Sequence, residues 1–246
     1  MRMLERYNMD LHIHTCLSPC GDPTSVPTKI VQSALLKDLD AIAICDHNAS
    51  ENVAAVRKAA LGRGLSVFGG MEISSQEEIH LLGIFDEDDA LQKMQQLVYD
   101  HLPGSNNVDA FGPQYIVDHE DYVEGYNNHL LIGATDLDVE AVIRAVHDLG
   151  GVVIASHVDR EAFGIISQLG FIPENLDLDA LELSKNYKSS PYSFADLDYQ
   201  FISSSDAHSP EDIGSAFSTF LLEEPTVGEL KAALSKQNGR RVISVT

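Results

Sequence analysis

The sequence predicts an α/β fold, a mostly parallel sheet or barrel with its helices outside and one strand reversed. Three observations lead there. Short apolar, β-branched runs alternate with segments whose apolar residues recur at helical spacing. Histidines and carboxylates gather at the carboxyl ends of those runs, where parallel α/β folds collect their chemistry. One histidine, His80, begins its run instead of ending it, and only "SSQEE" separates that run from the one before.

The first strand falls at 8–13, followed by a helix over 27–38 with Pro27 in its first turn, where a missing N–H breaks no helical bond. The run "DAIAIC" at 40–45 is the second strand and 49–62 the second helix. "SVFGGMEI" (66–73) and "IHLLGIF" (79–85) are joined by a turn too short for a crossover. They therefore pair as an antiparallel hairpin, which returns His80 to the rim that carries Glu72. A helix at 87–101 follows. From about 103 to 130 the rhythm fails: "LPGSNNVDAFGPQYIVDHEDYVEGYNNH" is rich in Gly, Asn, Asp and Tyr and reads as an inserted lid, subdomain or partner surface. The alternation resumes with a helix at 136–149 closed by Gly150-Gly151, then strands at 151–156, 179–184 and 200–205. A weaker strand at 217–222 and a helix at 225–236 complete it. The chain reads as one domain over 1–246, interrupted only by the insertion.

Composition narrows the function classes. The 246 residues, 44% hydrophobic, can bury a substantial core. No apolar run approaches the roughly 18 residues of a membrane span. The charged start "MRMLERYNMD" lacks the apolar region of a secretory signal. Three cysteines, Cys16, Cys20 and Cys45, form no paired framework and suggest a reducing compartment, the cytoplasm by default. The formal charge of −22, from 38 acids against 16 bases, repels a polynucleotide backbone, so long nucleic acid is disfavoured as a partner. Clustered divalent cations would change the local sign and leave a small phosphorylated substrate possible.

The histidines decide the chemistry. His12 and His14 end the first strand and, two apart, face one side. Asp46-His47 follows "AIAIC", Glu72 follows "SVFGGM", His157 follows "GVVIAS", and Asp206 and His208 follow "QFISSS". A lone strand-end histidine is more often hydrogen-bonded structure than a ligand. Several strand ends carrying imidazole or carboxylate on one rim are a metal site, and that donor set suits zinc, iron or manganese. His101, His119, His129 and His147 fall elsewhere and are read as structural or solvated.

The motifs "DLHIHT", "CDHN", "GMEIS" with "EIHLLGIF", "IASHVDR" and "SSSDAH" occur in an order that resembles the PHP (polymerase and histidinol phosphatase) family of metal-dependent phosphoesterases, over about residues 8 to 210 apart from the insertion. The resemblance implies a distorted (β/α)7 barrel, TIM-like, holding two to three divalent ions (Zn, Mn or Fe). It implies that His12, His14, Glu72 and Asp206 hold one ion, that Glu72 bridges to a second held by His80 and His157, and that His47 and His208 help hold a third. Asp46 becomes a carboxylate that orients a neighbouring ligand. A further ligand to the third ion is expected soon after His14. Asp22 is preferred, on its spacing from Pro27, and Cys20 is its competitor. Val158 stands where the family usually has Pro, while Arg160 keeps the family's His-x-x-Arg spacing and is expected to bind phosphate, with Lys185 a weaker candidate.

The implied activity is phosphoester hydrolysis by a hydroxide activated between metal ions, with Glu72, Asp206 and His208 in the catalytic apparatus. A small phosphomonoester or nucleotide is the leading substrate expectation, and an exonuclease acting on short oligonucleotides the alternative. A non-catalytic metal- or ligand-binding domain and a metal-dependent amidohydrolase are competing classes. The first is disfavoured by the intact ligand set, the second by the motif set.

Overall fold

The computed structural model describes residues 3–194 and 197–246. In chain order its first elements are β1 (Glu5–Ile13), α1 (Pro27–Leu36), β2 (Ala41–Ile44), α2 (Val53–Ala60), β3 (Ser66–Ser74), β4 (His80–Phe85) and α3 (Asp88–Asp100). The insertion holds α4 (Val108–Phe111), β5 (Tyr115–Val117) and β6 (Val123–Tyr126). After it come α5 (Val139–Asp148), β7 (Val152–Ala155), α6 (Ile165–Leu169), β8 (Ala180–Leu183) and β9 (Phe201–Ser203), then β10 (Ser218–Leu222), α7 (Val227–Leu234) and β11 (Arg241–Val245).

The main sheet runs β11-β10-β1-β2-β3-β4-β7-β8-β9. Seven of these strands, β1 to β4 and β7 to β9, wind into a nearly closed barrel. Pairing is parallel from β1 to β3 and from β7 to β9, while β4 is antiparallel to both neighbours, as the short turn before His80 requires. Closure comes above β9, where Ile13 bridges Ala207 and the His14 N–H donates to the Ala207 carbonyl at 2.9 Å. Lower down, β10 takes the free edge of β1 from Glu5 to Met9, and β11 pairs outside it.

Strand alternation sorts side chains into two cores. Ile42, Ile44, Met71, Ile73, Leu81, Val153 and Leu181 face the helices α1, α2, α3 and α5. Their alternates Ala41, Ala43, Leu82, Ile84, Val152, Ile154, Ala180 and Ile202 fill the barrel with Leu11 and Met9. Helix α7 adds Val227, Leu230 and Ala233 to this inner core. Its Val227 N–H is tied to Asp86, just past the end of reversed β4, so α7 closes the end opposite the site. Gly150, at φ 79, ends α5 in the left-handed conformation expected of the Gly150-Gly151 pair.

The 103–130 segment is ordered into a short helix and a hairpin. The side chain of Asn52 clasps β5, donating to the Tyr115 carbonyl (3.0 Å) and accepting from the Val117 N–H (3.0 Å). Leu102, Leu131 and Ile116 pack there with Leu17 and Ala49, on the same rim as the strand-end histidines. Among the described residues no helix is long and apolar enough to cross a membrane.

Candidate metal centre

The apolar fill of the barrel stops one layer below its upper rim. Continuing inward alternation past Leu82, Gly70 and Ala180 places His80, Glu72 and Glu182 on that layer. In β1 a register shift between Asp10 and Ile13 lets His12 reach the interior directly above Leu11. His157 and Asp206 sit at φ 30 and 49, in the left-handed region that non-glycine residues avoid, each just past a strand.

Glu72 is the hub. Its Oε1 lies 2.9 Å from His80 Nδ1 and 3.2 Å from His157 Nε2. Its Oε2 lies 3.0 Å from His47 Nδ1 and 3.4 Å from Nε2 of both His12 and His14. Asp206 Oδ1 is 3.1 Å from His14 Nε2, 3.3 Å from His12 Nε2 and 3.6 Å from His208 Nδ1. Among the described residues, three groups each bring their possible ligand atoms within 4.8 Å of one another: His12, His14, Glu72 and Asp206; His47, Glu72 and His80; and His14, His47 and His208.

The electrostatics follow from the burial. Desolvation alone would raise the Glu72 carboxyl, yet the imidazoles of His80, His12 and His47 hold it well below the usual carboxylate range. Asp206 is likewise held down, by His12 and His14, against its burial. Burial opposes charge on His14 and His47, but the adjoining carboxylates push both up to about 9. His80 and His208 are pushed down to about 4, by burial first.

The donor set fits divalent cations. Nε2 of His12 and His14 are 3.1 Å apart, a separation at which two lone pairs require a cation or proton between them. His80 Nδ1, buried beside Glu72, makes no hydrogen bond. In His14 and His12 the second ring nitrogen is committed elsewhere. His14 Nδ1 meets Ser18 Oγ at 2.9 Å, and that hydroxyl donates to Asp46 Oδ1 at 2.6 Å, so the His14 nitrogen is the donor and Nε2 keeps its lone pair for the cluster. Asp46 also accepts from the Thr15 N–H and hydroxyl. It therefore orients His14, through Ser18, without touching the cluster itself. Glu182 does the same for His12, accepting from Nδ1 at 3.0 Å, and it also takes the His157 N–H at 3.1 Å. Sequence reasoning passed over Glu182, although it lies within "LEL", one residue before its strand ends, on an inward position.

Two expected residues are not brought in. The Asp22 carboxylate is exposed and accepts from the Thr24 N–H (2.7 Å) and hydroxyl (2.6 Å), outside all three groups. Cys20, in the same loop, is exposed and also outside the three groups, but its thiol lies close enough to His47 to help hold that imidazole up. Lys185 pairs with Asp212 at 3.2 Å instead of facing the cluster. Arg160 does face it, with Nη1 2.6 Å from Asp206 Oδ2 and its side chain 39% exposed at the mouth.

Comparison with known proteins agrees with this architecture. Residues 10–169 match the PHP domain and residues 193–238 a PHP-associated segment; the chain belongs to the PHP domain family. It has the fold and donor set of a metal-dependent hydrolase. A 5′-3′ exoribonuclease from Haemophilus influenzae is 33% identical over 89 residues, 35% of this chain and 31% of that protein. The lesion-specific endonuclease Q from Pyrococcus furiosus superposes with a TM-score of 0.72 at 18% identity, over 98% of this chain and 58% of that one. An endonuclease Q solved with a 27-mer duplex bearing an abasic lesion gives 0.65 at 18% identity, over 97% and 59%. The chain thus spans less than two thirds of each of these proteins. The expectation that long nucleic acid is disfavoured is overturned by these relatives, which are named for action on nucleic acid or solved with it. Its physical flaw is that net charge describes the whole surface, whereas binding is decided by the local field of the site.

Proposed function

We propose that this chain hydrolyses phosphodiester bonds in nucleic acid, most directly as an exonuclease on oligonucleotide ends, with two to three divalent ions held at the barrel rim. The observation that carries the reading is the division of Glu72 between two sets of imidazoles, one per carboxylate oxygen. His12, His14 and Asp206 would join Glu72 around one ion, and His80 and His157 around a second. His47 and His208 would hold a third, with Cys20 replacing Asp22. The named activities of the exoribonuclease relative and of the endonuclease Q fold support a phosphodiester over a phosphomonoester.

Bound there, such ions supply a water deprotonated near neutral pH and neutralise charge that builds on phosphoryl oxygens. The protein's own part is placement. Arg160 presents a guanidinium beside Asp206, where its remaining N–H groups can hold nonbridging phosphate oxygens in a fixed plane. His208, pushed down to about 4 by burial and His14, is neutral at physiological pH. It therefore has a lone pair to offer an ion and no proton to give a leaving group, and its Nδ1 is spent on the Asp206 carbonyl at 2.9 Å. Asp46 and Glu182 keep His14 and His12 in one tautomer throughout.

The test is elemental analysis of purified protein alongside hydrolysis of end-labelled RNA and DNA oligonucleotides, with Glu72→Gln as the control variant. About two to three equivalents of metal and stepwise shortening are expected, with at least ~10²-fold lower turnover and fewer bound ions in the variant. Turnover of phosphomonoesters with intact oligonucleotides would sink the nuclease reading. Full metal and activity in Glu72→Gln would sink the shared-carboxylate scheme.

A further inference from the structure

The loop from His157 to Gly164 places two different side chains against the cluster. Arg160 reaches Asp206. Phe163 lies flat on His80, with ring centroids 4.5 Å apart and planes 6° from parallel. The loop is wound tightly to do this. Phe163 holds φ 59, a conformation that a bulky side chain adopts only when its surroundings impose it. Its carbonyl accepts the His80 N–H at 3.0 Å, which fixes the ring's base to the start of β4. Gly164 turns so closely beneath that a Cβ would lie 2.9 Å from the Arg160 carbonyl and 3.2 Å from that of His157. Despite this anchoring, Phe163 remains 42% exposed. An apolar ring held in a strained backbone and left open to solvent at the mouth of a polar site contributes little to the core. It does offer a flat surface to whatever enters.

We propose that Phe163 is a positioning residue on which a nucleobase of the substrate stacks while Arg160, from the same loop, holds the adjoining phosphate. Base and phosphate of one nucleotide would then be gripped by one rigid element. This inference rests on the nuclease reading and names the feature of the substrate that the site grips. Stacking tolerates any base, because every base has a π-face.

The experiment uses the 246-residue chain loaded with manganese and a 5′-phosphorylated trinucleotide carrying 2-aminopurine, whose fluorescence is quenched on stacking. The native protein is expected to quench it. Phe163→Ala should abolish the quenching and raise KM by about 10-fold with kcat nearly unchanged, and Phe163→Tyr should restore both. A trinucleotide with an abasic sugar in that position should be insensitive to Phe163→Ala. Equal losses on the abasic analogue, or loss of bound metal in Phe163→Ala, would assign the ring to supporting His80 and overturn the inference. Hydrolysis by native protein without quenching would overturn it too, leaving the nuclease reading intact. Phe163-dependent quenching without hydrolysis would uphold the stacking role and overturn the nuclease reading instead.

Discussion

His12 offers Nε2 to the cluster because Nδ1 is committed to Glu182, and that carboxylate in turn is buried with the His157 N–H as its second donor. Removing such an outer partner weakens metal binding by about 10- to 100-fold in comparable sites. Glu182→Gln keeps the volume and one acceptor oxygen but loses the charge, so metal affinity should fall within that range, read by competition with a chelating dye. Unchanged affinity would mean that Glu182 serves only to seat the backbone of His157. The clustering of the inner histidines and carboxylates was legible in sequence because each ends or begins an apolar run, and strand geometry then dictates its direction. Cys20 and Asp22 were not separable that way, since both lie in a loop where spacing says nothing about side-chain direction. The loop turns Asp22 toward Thr24 and Cys20 toward His47. The positive φ of His157 and Asp206 has no sequence signature at all.

Among the elements, regular alternation carried most of the fold. The strands at 40–45, 66–73 and 79–85 are found at Ala41–Ile44, Ser66–Ser74 and His80–Phe85, and the five-residue turn before His80 was enough to reverse β4. What escaped were elements too short for periodicity to show: the hairpin of β5 and β6, helices α4 and α6, and the edge strand β11. The hairpin is held by side chains rather than by a core of its own. Asn52 is one clasp, joined to Tyr115 and Val117 and donating also to Thr15 Oγ1 at 2.9 Å, beside Asp121, which accepts from the Thr28 N–H at 3.0 Å. Asn52→Ala leaves buried backbone groups unpaired, at a cost of about 1–3 kcal/mol. Limited proteolysis should then cut within 103–130 faster than in the native chain, and the melting temperature should fall by about 2–4 °C per kcal/mol. Unaltered cleavage and melting would show that the insertion is secured elsewhere.

At the scale of the whole molecule, an enzyme that we propose acts on a polyanion carries a net charge of −22. Most nucleic-acid-binding proteins gain affinity by releasing counterions from phosphates, and so weaken steeply as salt rises. Here the net charge is acidic, and attraction at the proposed site would come from Arg160 and the cations that the imidazoles and carboxylates would hold. The two components have different ranges. The Debye length shrinks from about 30 Å at 0.01 M salt to about 10 Å at 0.1 M, which screens distant surface carboxylates while leaving contacts of 3 to 4 Å nearly untouched. Raising monovalent salt over that interval, at saturating metal, should therefore increase kcat/KM on an oligonucleotide by a few-fold, about the size of modest electrostatic steering effects. Initial rates over a potassium chloride series on substrates of three and twelve nucleotides would measure it. A steep monotonic fall with salt would show instead that phosphates beyond the scissile one meet a basic surface, and would relocate substrate binding away from the acidic field described here.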